Sequence, residues 1–256
     1  MSTPKIQMDG VKKAFGSKHI LRGVDLSVET GKSLVIIGGS GTGKSVTLKC
    51  VLGILSPDAG TIRVDGEDIT HATGRAREVQ LDKFGMLFQG GALFDSLTVL
   101  DNVAFGLIQS GMAVGQDAHD RAIATLARVG LDESVAALLP VELSGGMQKR
   151  VALARAIADQ PEIIFFDEPT TGLDPIMSDV INHLIIECVR DLGATAVTIT
   201  HDMRSARTIA DKVAMIYDGK IIWHGPVADI DTVANPYVDQ FVHGRAEGPI
   251  QMTVRR

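Results

Sequence analysis

The sequence predicts an α/β fold built on a mixed or parallel sheet core, and three stretches predict it. The apolar run Leu34-Val35-Ile36-Ile37 opens into a glycine loop, Gly38 to Ser45, followed by helix-favouring residues from Val46 to Leu52. Ile163-Ile164-Phe165-Phe166 is a continuous apolar run ending in two carboxylates, Asp167 and Glu168, the pattern of a central strand buried on both faces. Thr195 to Thr200 is a further strand, with His201 and Asp202 at its end. Ligands of open α/β sheets sit beyond the carboxyl ends of the strands, so these polar endings fall where chemistry is done.

Residues 6 to 28 read as short β runs broken by turns: Ile6-Gln7-Met8, Ala14-Phe15-Gly16 and Ile20 to Val28. Pro57-Asp58-Ala59-Gly60 is a turn, and Thr61 to Gly66 alternates as a strand. Gly74 to Lys83 is polar and charged and reads as a solvated connection. Phe84 to Gln89 reads as a buried strand with Gln89 at its end. From about Leu97 to Ile157 no strand pattern appears. Ile123, Leu126, Ala127 and Val129 keep a helical spacing that Gly130 ends, so the region reads as a helical insertion between two strands. Inside it, Leu143-Ser144-Gly145-Gly146-Met147-Gln148-Lys149-Arg150 precedes a helix from Val151 to Ala158. Pro169 to Pro175 is a tight turn, and the helix after it carries one apolar stripe, Ile176, Val180, Ile181, Leu184, Ile185, Cys188 and Leu192, closed by Gly193. Lys212 to Trp223 is a hairpin around Asp218-Gly219, Val227 to Val233 a short helix, and Gln240 to Arg256 a tail.

With 256 residues, 45% hydrophobic and 22% charged, the chain can bury a sizeable core and is not of disordered composition. A net charge of -6 argues against nucleic acid and against unaided adhesion to anionic lipid. No apolar run approaches the roughly 20 residues needed to span a bilayer, and the start lacks the order of an export signal. A cytoplasmic chain is expected. Cys50 and Cys188 each sit in an apolar helical pattern and read as buried, reduced thiols.

The loop Gly38-Gly39-Ser40-Gly41-Thr42-Gly43-Lys44-Ser45 fits the phosphate-binding pattern G-x-x-x-x-G-K-[ST]. Glycines let the backbone curl round phosphate oxygens, and the following helix presents its unpaired N–H groups to the anion. Lys44 would reach the β- and γ-phosphates and the Ser45 hydroxyl would ligate Mg²⁺. The pattern leaves open which nucleotide is bound and whether it is hydrolysed. Ser144-Gly145-Gly146 at a helix start is a second anion-binding geometry, and two such helix ends in one chain call for an explanation. Of the buried acids, one carboxylate can hold the metal's water shell while the other orients and deprotonates an attacking water. His201 sits where it could contact a γ-phosphate, and Phe15 offers either an adenine-stacking face or core packing.

The phosphate loop, Gln89, Leu143-Ser144-Gly145-Gly146-Met147-Gln148, Ile163 to Glu168, Leu173-Asp174 and His201 occur in that order, and the whole chain resembles the nucleotide-binding subunits of ABC transporters. The resemblance implies a P-loop NTPase fold with an N-terminal antiparallel β subdomain and an inserted helical subdomain at about 97–160, inside an ATPase domain of residues 1–240. It implies ATP and Mg²⁺ as ligands. Phe15 would stack on adenine, and Gly38, Gly39, Ser40, Gly41, Thr42, Gly43, Lys44, Ser45 and Val46 would cradle the phosphates. Ser45, Gln89 and Asp167 would serve the metal, Gln89 also sensing water. Glu168 would be the general base and His201 the γ-phosphate switch, with Lys44 and Gln89 completing the catalytic set. Ser144, Gly145, Gly146 and Gln148, with Asp174 on the loop crossing the interface, would grip ATP bound to a second copy. One set of motifs then requires a homodimer.

More narrowly, Met86 to Val99 and the tail Gln240 to Gly244 with Gly248-Pro249-Ile250 resemble the MlaF-type ATPases of the Mla phospholipid-transport system. That resemblance implies work on lipid transport that maintains outer-membrane lipid asymmetry, from the cytoplasmic face of the inner membrane. The expected partners are an integral-membrane MlaE-like permease, a MlaD-like lipid-binding protein and a small MlaB-like protein, with no nucleic acid and no direct membrane insertion. Residues 241–256 would be an interaction segment. The same motifs also suit an ABC importer of amino acids or other small solutes. Outside transport they suit a non-transport ABC ATPase or a nucleotide-dependent scaffold, although the intact Glu168 and His201 oppose a scaffold.

Overall fold

The computed structural model describes residues 3–251. The chain runs β1 (Ile6–Phe15), β2 (Lys18–Val28), β3 (Ser33–Ile37), α1 (Lys44–Val51), β4 (Ala59–Val64), β5 (Glu67–Asp68), α2 (Gly74–Leu81) and β6 (Phe84–Leu87). Three helices follow, α3 (Val99–Gln109), α4 (Gln116–Arg128) and α5 (Gly145–Ile157). The chain then returns to the sheet with β7 (Ile163–Asp167), α6 (Pro175–Leu192), β8 (Thr195–Thr200), α7 (Met203–Ile209), β9 (Lys212–Tyr217), β10 (Lys220–Pro226) and α8 (Pro236–Val242).

Two sheets result. The antiparallel one has the order β2-β1-β4-β5, and the larger one β10-β9-β3-β8-β7-β6, parallel except for the β9–β10 hairpin at its edge. Successive strand residues point to opposite faces, and the core divides accordingly. Leu34, Ile36, Ile163 and Phe165 face the antiparallel sheet and α1, with Met8, Val24 and Leu48. Val35, Ile37, Ile164 and Phe166 face the helical side, with Val103, Leu126, Leu153 and Ile185. Because both faces are covered, β7 reads as an unbroken apolar run rather than an alternating one. Phe165 is 0% exposed, and truncating it to Ala should cost about 3–5 kcal/mol.

Register brings the site together. Ile37 pairs with Thr200, Ile199 with Asp167, and Phe166 with Leu87, so four parallel strands end at one level. The next residues are the phosphate loop, His201, Glu168 and, two positions on, Gln89.

Four local expectations change. Gly74 to Lys83 is helical over Gly74–Leu81; only Gln80 is buried, so this helix has no apolar stripe to announce it. The helix after Ser144 begins at Gly145, six residues before Val151, because Ser144 caps it. Ile6 to Phe15 is one bulged strand rather than two runs. Val227 to Val233 holds a single 3₁₀ turn, Val227–Asp229. The Gln240–Val242 part of the tail lies in α8, while Arg255-Arg256 falls outside the described residues.

Candidate functional site

β3 delivers the chain into the phosphate loop, and the glycines there have a geometric reason. Gly38 has φ 153°, and a Cβ on it would stand 2.5 Å from the Ile216 carbonyl oxygen. Gly43, with φ 112°, caps α1 without any side chain, which leaves the first amides of α1 to an anion. Lys44 is 8% exposed, and its ammonium donates to the Gly38 and Gly39 carbonyls at 2.7 and 3.0 Å. Burial pushes its pKa below the usual lysine value, while the Glu168 and Asp167 carboxylates pull the other way.

Asp167 ends β7, buried, with Oδ1 lacking a hydrogen-bond partner among the described residues. Burial and then the neighbouring Glu168 charge raise its pKa, against the pull of Lys49, Lys44 and Lys149. An orphaned hard oxygen beside the Ser45 hydroxyl's helix suits Mg²⁺, which keeps part of its water shell and takes few protein ligands. No group of three or more His, Cys, Asp or Glu side chains among the described residues could cage a metal alone.

Glu168 lies just past the strand with φ 49°, a left-handed backbone conformation that costs strain for a non-glycine residue. Its oxygens stand 3.0 and 2.9 Å from His201 Nδ1. Thr171 and Thr200 hydroxyls donate to its Oε2 at 3.2 and 3.3 Å. A carboxylate only accepts, so Nδ1 carries the proton and Nε2 is left for another partner.

The second helix start is built differently. Ser144 accepts from the Met147 amide at 3.3 Å, and Ser144 and Gly145 are exposed, while Gly146 packs on Met177. Gln148 turns back, donating to the Pro140 carbonyl at 2.9 Å, so its amide braces the Ser144 turn. Asp174 caps α6 through the Ile176 and Met177 amides. Gln89 is exposed beyond β6, followed by three residues with left-handed backbone, Gly90, Gly91 and Ala92. Arg155 of α5 donates to the Gly91 and Ala92 carbonyls, both at 2.9 Å. Phe15 is 48% exposed at the end of β1, a face free to stack rather than a core side chain, with the Lys13 ammonium 5.6 Å from its ring centre.

Lys44, Asp167, Glu168 and His201 therefore meet within the chain, while Ser144 and Asp174 present themselves outward. Sequence reasoning missed Thr171 and Thr200 around Glu168, and Lys149, a buried lysine whose Nζ has no hydrogen-bond partner among the described residues and feels Asp167 and Glu168. A signal for Lys149 existed: it lies three residues after Gly146, on the same buried helix face.

Residues 21–171 match the family described as ABC transporter. Over 246 residues the chain is 41% identical to the intermembrane phospholipid transport system ATP-binding protein MlaF of Escherichia coli K12, covering 96% of this chain and 91% of that one. It is 40% identical over 250 residues to the probable ribonucleotide transport ATP-binding protein mkl of Mycobacterium bovis, covering 97% and 69%. Among solved structures, the dimeric MJ0796 bacterial ABC transporter cassette superposes with a TM-score of 0.80 at 31% identity, over 87% of this chain and 98% of that one.

Proposed function

Given that the chain belongs to the ABC transporter family and is an ATPase of that family, we propose that it energises phospholipid transport across a cell envelope. The observation that carries this reading is the 41% identity to MlaF along 91% of that protein's length. The chain would work as a homodimer on the cytoplasmic face of the inner membrane, beneath a MlaE-like permease, with MlaD-like and MlaB-like partners. No helix among the described residues is long and apolar enough to cross a membrane, so a separate permease would supply the path. Residues 1–240 would form the ATPase unit and 241–256 the segment that meets a partner.

The proposed chemistry uses the groups as placed. Mg²⁺, when bound with ATP, would neutralise phosphate charge; Ser45 would ligate it, with Asp167 and Gln89 holding its waters. Lys44 exchanges its carbonyl partners for phosphate oxygens, a charge-assisted contact stronger than the one it leaves. Glu168 takes a proton from the attacking water, oriented by Thr171, Thr200 and His201. His201 Nε2 reaches the γ-phosphate. Ser144 and Gly146 of the second copy close the site from the other side, so ATP holds the pair together and its cleavage releases them.

Affinity purification of the tagged chain from membranes tests the lipid reading. A polytopic permease with a periplasmic lipid-binding protein should be recovered, and the reconstituted assembly should move phospholipid only with ATP. The name of mkl, a probable ribonucleotide transport ATP-binding protein, points to a second reading, transport of a small solute. Recovery of a soluble solute-binding protein, without ATP-dependent lipid transfer, would decide for it.

A further inference from the structure

Buried polar groups from three parts of the site meet on one hydroxyl, that of Ser205 in α7. Its Oγ donates to Asp202 Oδ2 at 2.7 Å, accepts from the Asn182 amide of α6 at 3.0 Å, and lies 3.2 Å from Thr170 Oγ1. A serine hydroxyl has one proton and two lone pairs. With the proton given to Asp202, the other two contacts must be received, so Thr170 is the donor in its pair and the hydroxyl is fully used. Thr170, Asn182 and Ser205 are 6, 2 and 1% exposed, so losing one of these bonds strands a largely buried polar group.

What the junction joins gives it meaning. Thr170 lies two residues after Glu168, in the turn that leads to Asp174. Asp202 adjoins His201, and its amide donates to Thr200 Oγ1 at 3.1 Å, the hydroxyl that itself donates to Glu168. Asn182 stands two turns along the helix whose start Asp174 caps. A cavity of about 360 Å³ opens on the junction, lined by Thr170, Asn182 and Ser205 together with Thr171, His201 and Arg204. The His201 loop and the Ser205 junction thus border the same cavity, and Ser205 ties that loop to α6 and to the Thr170 turn.

We infer that Ser205, with Thr170 and Asn182, is a positioning residue that sets the His201 loop and the outward-facing Asp174 loop in one register. It acts through His201 and Glu168. The inference rests on the reading of those two residues as the catalytic pair, and it concerns hydrolysis whatever the cargo.

Steady-state ATP hydrolysis by the full chain with Mg²⁺ tests it. Thr170→Val keeps the shape and removes only the donated hydrogen bond, and Ser205→Ala removes the hub. Each should lower kcat about tenfold while KM stays within about twofold, because binding groups are untouched and orientation is lost. Thr170→Ser, which restores the donor, should recover kcat to within about threefold of wild type. If Ser205→Ala does not fold, the Thr170→Val and Thr170→Ser pair decides alone. A kcat within about twofold of wild type for Thr170→Val, or a loss that Thr170→Ser does not rescue, overturns the inference. Glu168→Gln, run beside them, should be inactive; turnover by that variant would instead remove the catalytic reading on which the inference stands.

Discussion

Lys44 and Lys149 are both buried ammonium groups, one opening α1 and the other one turn into α5, and both feel the Asp167 and Glu168 carboxylates. Lys44 has two carbonyl partners, whereas Lys149 Nζ has none among the described residues. The helix starts they belong to differ in the same sense. The α1 start is walled in, with Gly43 and Lys44 buried, while Ser144 and Gly145 at the α5 start stand exposed. One proposed phosphate grip is enclosed within the chain, and the other is open to solvent. Under the proposed function, the contrast makes binding and turnover separable, one belonging to a single copy and the other to a pair.

Lys44→Ala should break the enclosed half. Nucleotide affinity, read by calorimetry, is expected to fall at least about 100-fold, since a buried charge-assisted contact to phosphate is lost. Ser144→Arg should break only the open half: kcat is expected to fall about 100-fold, as on loss of a preorganised anion donor, with ATP affinity of the single copy unchanged. Weakened ATP binding by Ser144→Arg in dilute monomer would erase the distinction. Phe15→Ala should weaken ATP about fivefold, a stacking contact of about 1 kcal/mol, and affect the enclosed half alone.

The smallest expected effect concerns Lys149. Burial holds its pKa below the ordinary value of 10.5, so the folded state disfavours the proton relative to the unfolded chain. Between the folded and the unfolded pKa the unfolded state binds more protons, and stability rises with pH. Lys149→Met removes that burden. Its stability advantage over wild type should be largest near neutral pH and shrink as pH climbs toward the usual lysine value, followed by thermal melts across that range. An advantage that grows with pH would contradict the assigned burial.

Much of this site could be read from order along the chain. Gly38 to Ser45, Asp167 with Glu168, and His201 each end a strand, and parallel strands that end level must bring their endings together. The helices were less legible. α2 hides because its residues are nearly all polar, and α5 began earlier than expected because its first residues are two glycines whose helicity comes from Ser144. Thr170, Thr171, Asn182, Thr200 and Ser205 gave no signal either. Their importance lies in which hydroxyl meets which, and adjacency across α6, α7 and β8 is a product of packing that no spacing rule along one segment encodes.

The left-handed backbone at Glu168 bears on how any saturation library at that codon would be scored. Branched residues such as Val or Ile resist that conformation, so their failure would mix misfolding with missing chemistry. Asparagine, aspartate and glycine tolerate it, and among variants that keep the native side-chain length only glutamine changes the proton acceptor alone. A survey of abundance alongside turnover would therefore sort the twenty amino acids into two overlapping but distinct rankings at this one position.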